Sequence, residues 1–65
     1  MERHHRKPRS RGGNGKWRNI SKVDSRYHRA YHLLFCNMQP EEIAAVLNDV
    51  WIDPDYKLIA IRRQR

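Results

Sequence analysis

Four histidines stand in two pairs, His4 with His5 and His28 with His32. A neutral imidazole carries one nitrogen lone pair, which can bind a metal ion or accept a proton near neutral pH. On an α-helix, His28 and His32 are one turn apart and project from nearly the same face, so both could approach one ion. Cys36 continues that spacing. Adjacent residues on a strand point to opposite sides, so His4 and His5 should divide their roles, one toward a metal and the other toward substrate.

The first pair lies in a run dense in cations: Arg6, Lys7, Arg9 and Arg11, then Lys16 and Arg18 beyond a glycine-rich turn. Cations of this kind hold a phosphate backbone electrostatically with little sequence discrimination, and Trp17 between two of them could stack on an exposed base. DNA or RNA is therefore the expected partner.

Read in order, His4, His5, Pro8, Gly12, Gly13, Asn19 and His28 resemble the HNH, or His-Me finger, nuclease motif over about residues 3–32. In that family a strand bears the first pair, a loop with proline and glycines follows, an asparagine comes after the loop, and a helix supplies the last histidine or asparagine. The resemblance implies a ββα-metal element that hydrolyses phosphodiesters. By position it makes His4 and His28 metal ligands, His5 the general base, Asn19 the residue orienting that base, and His32 an auxiliary ligand or a phosphate contact. The implied cofactor is a divalent ion, Mg²⁺, Mn²⁺, Ni²⁺ or Zn²⁺. The chain lacks the cysteine pairs with which many members hold a structural zinc. The alternative reading is an inactive remnant that binds DNA or RNA through its basic N-terminal segment.

Positioning these groups requires a small α+β fold. Gly12, Gly13, Asn14 and Gly15 tolerate the backbone of a reversal, which predicts a β-hairpin with arms near 3–9 and 16–23. Asp24 or Ser25 can cap a helix running through Asn37, with Tyr27, Ala30, Tyr31, Leu34 and Phe35 as its core stripe. Pro40, Glu41 and Glu42 suit a second helix start, and Ile43, Ala44, Val46, Leu47, Val50 and Trp51 continue it as an apolar stripe. The two helices should pack as a hairpin. Asp53, Pro54 and Asp55 then break the pattern, and Tyr56 to Ile61 suggest a short C-terminal strand with Trp51 anchoring it.

Composition bounds the whole. At 65 residues there is room for one small domain, divided into a basic arm and hairpin over 1–23, a helical hairpin over 24–51, and a strand with basic tail over 52–65. Fourteen Lys and Arg against seven Asp and Glu give +7, distributed as +7 over residues 1–22, −3 over 23–61 and +3 at the end. That asymmetry favours a polyanion over a neutral metabolite. One cysteine cannot form an internal disulfide, which fits a reducing, cytoplasmic setting. No apolar run approaches bilayer length, so no membrane partner is expected. The lack of a specificity module leaves room for a homo-oligomer or a protein partner. A docking αα-hairpin with a merely solubilising arm is a third reading.

Overall fold

The computed structural model describes residues 1–64 and is a small α+β fold. Strand β1 (Glu2–His5) pairs antiparallel with β2 (Ile20–Val23), placing Glu2 opposite Val23, His4 opposite Ser21 and His5 opposite Ile20. Both strands are shorter than the sequence predicts. The intended second arm spends Trp17–Asn19 in a 3₁₀ turn, and a second such turn covers Arg9–Arg11. A long polar loop takes the place of a tight reversal.

That loop is closed by its own backbone. Arg11 and Gly13 both donate N–H to the Pro8 carbonyl at 2.9 Å, and Gly12 caps the first turn at φ 92°. An added Cβ at Gly13 would collide with the main-chain carbonyl of Lys7, which cannot swing aside as a side chain can. Gly13→Ala should therefore destabilise the chain by about 1–3 kcal/mol. Thermal unfolding followed by circular dichroism measures this, and an unchanged midpoint would contradict it.

Helix α1 (Ser25–Phe35) begins where Asp24 accepts the Arg26 N–H at 2.8 Å. The Arg26 guanidinium also bonds that carboxylate and, as the largest cause, holds it below its ordinary range. The helix stops two residues before the expected Asn37. Cys36 leaves it at φ 50°, a left-handed conformation that side-chain-bearing residues adopt at a cost, and so Cys36 does not extend the His28–His32 face.

Helix α2 (Pro40–Val46) starts with proline and with Glu42 accepting the Gln39 N–H at 2.8 Å. The stripe expected to remain α-helical through Trp51 widens into a π-turn over Leu47–Trp51, closed by Ile52 N–H on the Leu47 carbonyl. The helices do not form the predicted hairpin core: α1 lies against β1, and α2 runs straight on into the π-turn without close backbone packing on α1. Arg11 ties the first loop to the interhelical turn instead, reaching Glu42 at 3.1 Å and the Asn37 carbonyl at 3.2 Å. The predicted C-terminal strand has no strand partner among the described residues, so the sheet keeps two strands.

Overall extents of 36 × 32 × 17 Å explain the packing. An α-helix with its side chains is about 10 Å across, so 17 Å accommodates one helix on one ribbon and little more. Among the described residues no side chain is fully buried. Tyr31 and Phe35 are half-buried with ring centroids 5.3 Å apart, whereas Tyr27, assigned to the same stripe, is exposed. Trp51 is likewise exposed.

Candidate metal centre and basic groove

β1 and α1 bring His4 of the first pair together with both histidines of the second. One nitrogen from each of His4, His28 and His32 lies within 4.8 Å of the others. The convergence follows from alternation on β1, which turns His4 toward the helix, and from the one-turn spacing on α1. His4 meets the Tyr31 ring edge-on at 4.7 Å, so an aromatic wall seats the cluster.

The hydrogen bonds define which nitrogens are available. Glu2 Oε1 lies 2.7 Å from His28 Nδ1, and because a carboxylate only accepts, His28 donates there. In the neutral ring this leaves the lone pair on Nε2, which sits 3.0 Å from His32 Nε2. Two ligand nitrogens about 2.0–2.1 Å from a tetrahedral zinc stand about 3.3 Å apart, close to this separation. A buried His4 Nδ1 has no hydrogen-bond partner among the described residues. A nearly converged donor set with an unpaired buried nitrogen fits an ion held by His4, His28 and His32.

With an ion held there, Glu2 would stand as the carboxylate behind a ligating histidine. Such partners typically change metal affinity by 10–100-fold. Glu2 is half exposed, so Glu2→Ala should weaken metal binding about tenfold, toward the low end of that range. Calorimetric titration would show it; equal affinity would deny Glu2 this role.

The surroundings of His4 disfavour its charged form. Burial lowers its pKa below the ordinary 6.5, and His28, His32, His5 and Arg6 lower it further by repulsion between cations. A histidine whose pKa is lower folded than unfolded takes up fewer protons when folded, so stability rises with pH. The metal-free chain should thus lose stability as pH falls from 6.5 through the lowered folded value, and His4→Gln should flatten that limb. Urea unfolding at stepped pH checks the slope, and a flat profile in the wild-type chain would refute it.

His5 is half-buried on the same strand and does not belong to the three-nitrogen cluster, so the neighbours diverge as strand alternation requires. Asn19 does not touch the His5 ring. Its Oδ1 accepts the Lys7 N–H at 2.6 Å, while Nδ2 donates to the Lys7 and Asn14 carbonyls at 3.0 and 2.7 Å. Its own carbonyl accepts from Arg6 N–H, next in chain to His5, at 2.7 Å. Asn19 thus holds the loop that follows His5 and makes no hydrogen bond to the imidazole.

Of the cations singled out in the sequence, Arg6, Lys7, Lys16 and Arg18 line one open groove of about 860 Å³ with Trp17 and Asn19. Trp17 is 83% exposed, a large apolar ring among cations. Arg9 is not part of this groove, and Arg11 is turned toward Glu42 and Asn37. Arg63 lines it as well, a cation that the sequence did not assign to this surface. The run of arginines after Ile61 was the available signal, but only the path of the chain brings it beside Arg6.

No protein-family model, curated protein or solved structure matches this chain. No helix among the described residues is long and apolar enough to cross a membrane.

Proposed function

We propose that this protein is an HNH-like, metal-dependent endonuclease that hydrolyses phosphodiester bonds in DNA or RNA. The observation that carries the reading is the meeting of His4 from the hairpin with His28 and His32 from the helix. The chain order of strand, long loop, strand and helix supports the family resemblance, and the basic groove supplies a surface suited to a polyanion.

In this reading His4, His28 and His32 hold the ion. Three imidazoles suit Zn²⁺ or Ni²⁺ better than Mg²⁺, which prefers oxygen ligands and keeps its waters. When bound, the ion offsets negative charge growing on the phosphoryl and leaving oxygens. His5, outside the ligand set, accepts a proton from the attacking water as its oxygen bonds to phosphorus and the bond to the leaving oxygen breaks. Asn19 keeps the loop after His5 in place. Arg6, Lys7, Lys16 and Arg18 hold the backbone, and Trp17 offers a stacking face to a base.

The test is cleavage of plasmid DNA and structured RNA with each of Mg²⁺, Mn²⁺, Ni²⁺ and Zn²⁺, alongside His5→Ala. Metal-dependent cutting that disappears in the variant supports the proposal. Salt-sensitive binding with no cutting under any metal overturns catalysis and leaves the nucleic-acid-binding remnant.

A further inference from the structure

Trp17 opens the 3₁₀ turn Trp17–Asn19, and that turn is pinned from several sides. Lys16 N–H donates to Asn14 Oδ1 at 3.0 Å, Asn19 N–H donates to the Lys16 carbonyl at 2.8 Å, and Asn19 Nδ2 donates to the Asn14 carbonyl at 2.7 Å. Ile20 N–H closes the turn on the Trp17 carbonyl, where β2 begins. The backbone beneath the indole is therefore fixed while the ring itself stays 83% exposed. Among the described residues no other aromatic ring packs on it. Holding so large an apolar ring in water forgoes the stabilisation that burial gives. What it offers instead is a flat face on a rigid base, with only two side-chain torsions to lose on contact.

The groove around this ring is charged in one sense only. Arg6, Lys7, Lys16, Arg18 and Arg63 line it, each of them exposed, and no Asp or Glu does. None of the five is in a salt bridge among the described residues, so all are open to phosphates. A duplex meets such a surface with its backbone alone. Its base faces are covered by their neighbours, and a side chain reaches one only by prying a step apart. A single strand offers phosphates and open base faces together.

We propose that this groove takes single-stranded nucleic acid, the cations following the backbone while one base stacks on Trp17. Strandedness is thereby added to the nuclease reading, on whose nucleic-acid surface it rests. Charge by itself favours the opposite choice: counterion release is about 0.9 per phosphate on duplex DNA and about 0.7 on a single strand. A preference for the single strand therefore reports contacts to bases.

Fluorescence anisotropy of the full chain in EDTA, where neither metal nor cleavage enters, compares three labelled probes. Oligothymidine and oligouridine of about 12 nucleotides, within the usual span of a single-strand groove, are set against a duplex of the same length. At about 0.15 M salt at least one single strand should bind more tightly than the duplex, and the tighter of the two names the sugar. Trp17→Ala should weaken that binding about 5–100-fold, the usual gain from one stacked base, and leave duplex binding unchanged. An abasic strand keeps the phosphates and lacks the faces, so wild type and Trp17→Ala should bind it equally. In Trp51→Phe protein the remaining indole, Trp17, should be quenched as the strand saturates the groove. A duplex bound as tightly as either single strand, full binding by Trp17→Ala, an equal loss on the abasic strand or an unquenched Trp17 each overturns the proposal, while metal-dependent cutting stands. Single-strand preference in a chain that cuts under no metal upholds it and removes only catalysis.

Discussion

Replacing His5 by alanine is expected to lower the cleavage rate about 10²–10⁴-fold, the usual contribution of a positioned general base. Metal affinity should stay unchanged, because His5 lies outside the nitrogens that His4, His28 and His32 bring together. The two readouts together separate a base from a ligand. Cleavage is measured under single turnover so that product release does not mask chemistry, and metal binding by calorimetry on the same samples. Equal rates for variant and wild type would remove His5 from the reaction. A parallel loss of metal would move it into the coordination set, contrary to the alternation of β1.

His28→Ala should have the larger thermodynamic effect. It removes a nitrogen 3.0 Å from His32 Nε2 and simultaneously leaves Glu2 without the imidazole it orients. Losing the ligand should exceed the 10–100-fold cost typical of losing its outer partner, so affinity should drop more than about 100-fold. Stability then reports the same event. Metal at about 100 times its dissociation constant stabilises a folded chain by about 2.7 kcal/mol, which for a domain this small raises the melting temperature by about 10–20 °C. At the same metal concentration His28→Ala should show almost none of that rise over its own metal-free melt. An undiminished metal-induced shift would show that the ion, if one binds, sits elsewhere.

How much of this was legible in the sequence depends on the range of the interaction. The helix start at Asp24 and the proline-led start at Pro40 rest on backbone preferences within a few residues, and both appear where expected. Errors cluster where a distant contact outweighed local pattern. The apolar stripe from Ile43 to Trp51 satisfies an α-helix, yet nothing packs on all of it, and its last turn widens to a π-turn that points Asn48 at Leu58. Tyr56 to Ile61 have strand composition without a neighbour to make a strand. Arg11 resembles every other cation of the arm until Glu42 and the Asn37 carbonyl are found beside it.

The histidines show the same division. Residue types and spacing by themselves established that His28 and His32 share a helix face, that His4 and His5 diverge, and that a basic segment surrounds the first pair, because periodicity is a property of each element alone. Whether the pairs meet was a question of how β1 lies on α1, which is decided by the antiparallel register with β2 and by the seat that Tyr31 gives His4. The tertiary structure also determined that Glu2 fixes the His28 tautomer and that Arg63 joins Arg6 along the groove. Glu2 and His28 are 26 residues apart, Arg6 and Arg63 stand near opposite ends of the chain, and no local preference encodes proximity of that kind.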